Sequence, residues 1–402
     1  MPGCHLAICD MGRRSGDFGG DHTAVRSNMG LPEVPVMFHI DAMPLPPPDP
    51  FLRLRARGCA TNPAGRFEPR ARIVENDGWD SPEEERLLRT EVRIERPRSV
   101  INPVASPDLP FDRTINPYRG CEHGCAYCFA RPGHAYLGLS PGLDFETRLI
   151  ARPDAARVLE RELARQGYKP ATVAIGTNTD PYQPIEARYR VMRGLLQVLS
   201  DWNHPVAIVT RGTLIERDID LIADMARRNL VHVGISMTTL DPGLSRRMEP
   251  RAPLPARRLA IIERLAAAGI PVRLMVAPVI PVLTEPELEA ILAAGHGAGA
   301  RAASWILLRL PHEVAPLFRD WLDRSTPGYA AHVLKRLRAM RGGADYDADW
   351  GRRMRGDGPH ADLIARRFAV AMRRLGLQAE LPPLDATRFA PPPRSGDQIS
   401  LF

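Results

Sequence analysis

Between residues 171 and 310, short runs rich in β-branched residues alternate with amphipathic stretches, a pattern that restricts the chain to layered α/β structures. Runs at 172–175, 206–210, 231–237, 272–277 and 304–310 read as buried strands. Between them, 189–200 places Val191, Leu195, Val198 and Leu199 on one helical face. Segment 216–228 also reads as a helix, and so does 256–268, which Gly269 stops. Thr284 and Glu287 have capping-box spacing ahead of Leu288, Ile291 and Leu292. With one further strand leading into a cysteine-rich loop, about six βα units are expected. The fold class is therefore α/β: a partial (β/α)6 barrel or strongly curved open sheet, with a helical C-terminal extension and flexible termini. Active sites of parallel sheets lie beyond the carboxyl ends of the strands. That directs attention to 176–184, 211–213, 236–240, 278–281 and 309–312.

The flanks divide the 402-residue chain further. Residues 1–55 are rich in Gly and Pro without periodicity and read as disordered; Met29, Met37 and Met43 are alternative starts. Residues 56–110 form an extension packing on the core, 111–325 the core itself, 326–380 a helical extension with Arg-rich stretches, and 381–402 a flexible tail. No run approaches the roughly 18 apolar residues of a membrane span, and the opening lacks a signal-peptide pattern, so the expected location is the cytoplasm. A net charge of +7 favours polyanions such as nucleic acid.

Six cysteines occur: Cys4, Cys9, Cys59, Cys121, Cys125 and Cys128. The last three stand in a CxxxCxxC loop, too tight a cluster for a disulfide scaffold in a chain of this size and compartment. Three thiolates cannot fill the four iron sites of a cubane, so a [4Fe–4S] cluster held here keeps one iron open. The alternative is a zinc site with His123 or His134 as fourth ligand.

The stretch RGCEHGCAYC resembles the cluster motif of the radical S-adenosylmethionine (SAM) superfamily, including an aromatic residue, Tyr127, before the third cysteine. The resemblance implies that the open iron chelates S-adenosylmethionine. It also implies reductive cleavage of that cofactor to a 5′-deoxyadenosyl radical, and an electron donor such as flavodoxin or ferredoxin. From about Arg57 to Gly376 the chain is similar to the spore photoproduct lyase-like branch, often labelled DNA-repair photolyase homologues. It looks closest to an uncharacterised bacterial family with INPYRGCEHGCAYCFARP, LGLSPGLDFET, GTNTDPYQP, MEPRAP and MVAPVIP, all present here.

Carried over position by position, Thr179 and Asp180 fall where this branch places cofactor and substrate contacts. Arg211 replaces a lysine that contacts the cofactor carboxylate, Ser236 matches a serine reaching the cofactor, and Glu249 matches a glutamate with no assigned role. The lyases donate a hydrogen atom from a cysteine whose position here is Thr177, and no cysteine follows Cys128. A threonine O–H bond is too strong for that task, which excludes the thiol-dependent mechanism. Tyr182 is the nearby candidate for relaying a radical, with packing as its alternative role.

The chain ends in Gln398-Ile399-Ser400-Leu401-Phe402, which resembles the peptide that binds the bacterial DNA polymerase sliding clamp. Gln398, Leu401 and Phe402 are its partner-binding residues, following a Pro-rich spacer. Asp345, Asp347 and Asp349 imitate an EF-hand start, but Trp350 and Gly356 stand at positions that calcium binding reserves for Gly and Glu. Three functions compete at this point. One is a radical SAM enzyme acting on DNA and recruited by the clamp. Another is radical SAM modification of RNA, protein or a small molecule. The third is a non-catalytic metal-containing nucleic-acid-binding protein.

Overall fold

A computed structural model describes residues 57–67 and 89–392. The expected 1–55 segment with Cys4 and Cys9, and the tail residues Gln398, Leu401 and Phe402, lie outside the described residues. Among the described residues, ten strands form two sheets: β1 (Glu91–Ile94), β2 (Ile101–Pro103), β3 (Arg113–Ile115), β4 (Tyr118–Arg119), β5 (Arg148–Ala151), β6 (Val173–Ile175), β7 (Val206–Thr210), β8 (Val231–Ser236), β9 (Val272–Val279) and β10 (Ala302–Leu307).

The larger sheet has the order β10-β9-β8-β7-β6-β3-β2. Its strands from β3 to β10 are parallel, and each new one is laid beside the last, as successive βα units require. This is the expected partial (β/α)6 barrel, and the strand leading into the cysteines is β3. Val173, Ala174 and Ile175 are all buried because helices cover the sheet on one side and the barrel interior lies on the other. The antiparallel strand β2 pairs with β3 and covers the first edge. A smaller sheet of order β1-β5-β4 stands apart from the barrel strands.

Helices α1 (Ala155–Leu163), α2 (Val191–Asp201), α3 (Ile219–Arg227), α4 (Pro255–Ala267) and α5 (Leu288–Gly297) connect the strands. Helix α2 buries Val191, Leu195 and Leu199 along the expected face, together with Met192 and Leu196. The expected capping box does not form. The Thr284 hydroxyl accepts instead from the Ile280 N–H at 2.9 Å, and Glu287 accepts from the Thr239 hydroxyl at 2.7 Å and the Leu240 N–H at 2.5 Å. Those donors lie in the same turn and in the loop after β8, at the carboxyl end of the sheet, and satisfying them outweighs a local cap.

Beyond the barrel, α6 (Val314–Ser325) and α7 (Pro327–Ala339) are separated at Pro327, which suits a first helical turn and no interior position. Helix α8 (Pro359–Leu375) packs on α5 through Arg367–Glu289 at 2.7 Å and on the turn before α5 through His360–Glu285 at 2.9 Å. Gln378 then bridges Ala302 and closes the free edge of β10. The expectation of a flexible tail from 381 is corrected for residues 381–392. There Phe389 packs against Trp202, Tyr168 and His204, and the Asn229 side chain donates to the Pro383 carbonyl at 3.0 Å. Among the described residues no helix is long and apolar enough to cross a membrane.

Candidate active site

The cysteine loop leaves β3 and β4 at the carboxyl end of the sheet, and nearly every motif string of the sequence turns out to hold it. From the string GTNTDPYQP, the Thr179 hydroxyl donates to the Tyr118 carbonyl at 2.9 Å. The Gln183 amide grips both sides of Cys121, donating to the Gly120 carbonyl at 3.0 Å and accepting from the Glu122 N–H at 2.9 Å. From MEPRAP, the Met248 carbonyl accepts from the Ala126 N–H, and Arg251 pairs with Glu122 at 3.2 Å. From LGLSPGLDFET, the buried Glu146 carboxylate pairs with the buried Arg131 guanidinium at 2.5 Å. It also accepts from the N–H groups of Gly58 at 2.9 Å and Cys59 at 3.1 Å. Residues 57–65 therefore form a strap over the loop. The approach is so close that a Cβ on Gly58 would stand 1.7 Å from the Gly124 carbonyl oxygen.

Cys121 and Cys125 are buried and Cys128 half-buried. Burial pushes the Cys121 thiol well above its ordinary value and Cys125 up to about 12, the latter partly opposed by Arg211. Such thiols become ligands when a cationic metal centre displaces their protons. Among the described residues, no three His, Cys, Asp or Glu side chains are placed to hold a single metal ion. Each imidazole that could complete a zinc site has one ring nitrogen turned to a neighbour. His134 Nε2 lies 2.9 Å from the Arg148 carbonyl, and His123 Nδ1 lies 3.4 Å from the Asp180 carboxylate. Three soft donors on one short loop, with cations beside them, fit an iron–sulfur centre better than a lone zinc.

Arg211 follows β7 and reaches the cysteines directly. Its Nη1 donates to Cys125 Sγ at 2.9 Å, to Tyr127 Oη at 2.8 Å and to Glu249 Oε1 at 2.9 Å, and Nη2 lies 3.5 Å from Ser236 Oγ. The structure thus brings together four expected residues: Cys125, Tyr127, Arg211 and Ser236. Glu249 is the pivot beneath them, taking donors from Tyr127, Thr238, Arg211 and Arg258. Burial pushes the Glu249 carboxyl up, but the Arg258 and Arg211 guanidinium groups outweigh it and hold it at about 2.

Asp180 plays a holding part. It accepts from the Thr210 hydroxyl at 2.6 Å and from the backbone N–H groups of Tyr182 and Arg211, each at 2.9 Å. Burial raises its carboxyl, yet His123, Thr210 and Arg211 keep it well below the usual carboxylate range. Thr179 and Asp180 thus position the loop and Arg211. Tyr182, the relay or packing candidate, is fully buried and its hydroxyl donates to Asp218 at 3.1 Å. Thr177 is half-buried just beyond β6.

Sequence reasoning did not single out Glu146, Arg131, Gln183 or Arg258. For Arg258 a signal exists, since it shares the buried face of α4 with Ile261, Ile262 and Leu265. A cation on an apolar face marks a buried partner. Glu146 and Arg131 lie in short helical turns and Gln183 in a loop, too brief for a periodicity to mark a partner.

Residues 115–294 match the family model described as the radical SAM superfamily. An uncharacterised protein of Mycobacterium tuberculosis is 43% identical over 233 residues, which is 57% of this chain and 68% of that relative. The chain belongs to the radical SAM superfamily. A second uncharacterised relative, from Methanocaldococcus jannaschii, is 25% identical over 187 residues, covering 46% of this chain and 67% of its own. The solved structure of a spore photoproduct lyase complexed with dinucleoside spore photoproduct superposes with a TM-score of 0.53 at 13% identity. That match covers 71% of this chain and 80% of the lyase, and it shows a shared fold. Radical SAM membership makes the chain an enzyme that uses S-adenosylmethionine and an iron–sulfur cluster. Cys121, Cys125 and Cys128 are the residues that would hold the cluster.

Proposed function

We propose that Cys121, Cys125 and Cys128 carry a [4Fe–4S] cluster with one open iron, and that the enzyme uses S-adenosylmethionine there to act on DNA. The reading is carried by the placement of Arg211, whose guanidinium touches a cysteine sulfur on one side and Ser236 on the other. A cation so placed receives the cofactor carboxylate beside the cluster. When bound, the cluster and its cofactor supply one-electron cleavage of the sulfonium to a 5′-deoxyadenosyl radical. The chain's own residues do the positioning. Glu249 and Arg258 hold the Arg211 fork from below, Asp180 fixes its backbone, and Gln183 with Glu146 keeps the cysteine loop closed. Thr177 is no hydrogen-atom donor, so the hydrogen returned to product comes from another source.

The DNA assignment draws on the resemblance to the lyase-like branch, the net charge of +7 and the terminal Gln398-to-Phe402 peptide, which would recruit the enzyme to the sliding clamp in the cytoplasm. Flavodoxin or ferredoxin would deliver the electron. Anaerobic reconstitution with iron and sulfide is expected to give a brown, reducible chromophore and cleavage of S-adenosylmethionine under reduction. Each Cys→Ala variant is expected to lose both. A colourless product that leaves the cofactor intact would sink the cluster reading. Clamp binding is expected to vanish when residues 398–402 are removed, and equal binding by both chains removes the recruitment claim. Accumulation of a DNA adduct in a deletion strain identifies the substrate.

A further inference from the structure

The last barrel strand, β10, delivers Arg309 to the same end of the sheet as the cysteines. The Arg309 guanidinium lies 4.7 Å from the centroid of Phe129, the residue after Cys128, and Phe129 is 41% exposed. No ion pair is formed by Arg309 among the described residues. Its polar contacts are long: 3.8 Å to Met354 Sδ and 3.5 Å to Tyr346 Oη. Its buried Nε has no partner. Arg341, buried beneath the loop, also has an unpartnered Nε, while its other donors tie the carbonyls of Leu308, Arg352 and Arg353 together. Two neighbouring arginines of that loop are satisfied by contrast, while Arg355 rests on the Trp305 ring. Arg352 pairs with Asp347 and Asp349, and Arg353 pairs with Asp108 at 2.5 Å. At the mouth of the barrel, then, the Arg309 guanidinium, which Asp108 meets only through space and which forms no ion pair among the described residues, rests on a partly exposed ring.

An anion alone would satisfy Arg309 and leave the exposed part of Phe129 in water. A nucleotide unit satisfies both, because it joins a phosphodiester to a flat base. We infer that Arg309 and Phe129 form a nucleotide-docking site, with the phosphodiester of the substrate strand on Arg309 and an unstacked base against Phe129. This rests on the reading of DNA as substrate and names how the strand is held next to the cysteine loop. Arg341 is a positioning residue, since it fastens the 352–353 backbone to the end of β10.

The test is fluorescence anisotropy with the full reconstituted chain and a fluorescein-labelled single-stranded thymidine oligonucleotide over a range of potassium chloride. Arg309→Ala is expected to weaken binding about tenfold and to lower the salt slope by about one. Arg309→Lys keeps the slope and loses about threefold, because the ammonium cannot grip two phosphate oxygens. Phe129→Ala weakens binding about tenfold with the slope unchanged. A merely misfolded variant lowers the binding-competent fraction and leaves affinity and slope of the remainder intact, so the slope separates loss of contact from loss of fold. Variants that bind with wild-type affinity and slope overturn the inference while the DNA reading stands. A wild-type chain that ignores the DNA oligonucleotide, or prefers the RNA equivalent by more than about tenfold, overturns the DNA reading and this site with it.

Discussion

Glu249 shows how one buried carboxylate organises cations around a site. Arg211 and Arg258 flank it, and all three are largely withdrawn from water. Removing the central charge leaves two guanidinium groups facing each other across an uncompensated space. Glu249→Gln is therefore expected to lower stability by about 3 kcal/mol, read as a shift of the urea midpoint. Arg258→Met in that background is expected to recover part of the loss, because the remaining repulsion disappears. An Arg258→Met effect that simply adds to Glu249→Gln contradicts the coupling. The cysteine spacing, Arg211 and Ser236 were legible from motif and strand position. Glu249 was visible as a motif member without a role, because its partners come from a helix, a loop and a strand end remote in sequence.

At the scale of elements, α2, α4 and α8 follow from 3.6-residue periodicity, and β6 to β10 from apolar runs of strand length. Strands β1, β4 and β5 escaped because two to four residues carry no period, and β1 is mostly exposed. The packed stretch 381–392 escaped because its prolines resemble a linker; it is anchored by the Phe389 ring among Tyr168, Trp202 and His204 and by hydrogen bonds to Asn229 and Trp202. His204 Nδ1 faces the Pro205 carbonyl at 3.0 Å and Nε2 faces the Tyr168 hydroxyl at 2.8 Å, an arrangement suited to neutral imidazole. Burial lowers its pKa to about 4. The unfolded chain, with His near 6.5, binds more protons between those values, so stability falls as pH drops from about 6.5 to about 4. The loss for His204 is at most about 3 kcal/mol. Unfolding midpoints across that window are expected to rise with pH, and His204→Gln to flatten the slope. His232, lowered to about 4 by burial and by Arg273, adds a dependence of the same sign.

For the whole molecule, the order of parallel strands was readable because each βα unit adds beside its predecessor. Closure of the edges was not readable, since it depends on β2 at one side and on a single bridge from Gln378 at the other. A chain ending at Gly376 bares the backbone of β10 and is expected to associate with rising concentration in size-exclusion chromatography. A chain ending at residue 392 is expected to elute as the intact one does. The strap over the cysteine loop has a further consequence, one of timing. Arg57, Gly58 and Cys59 leave the ribosome well before Cys121, Cys125 and Cys128, and their acceptor, Glu146, follows Cys128 closely. At the usual pace of synthesis the interval between Cys128 and Glu146 is about two seconds. The cover is thus waiting when the thiols emerge, and their exposure to oxidants on the nascent chain is brief by order of manufacture.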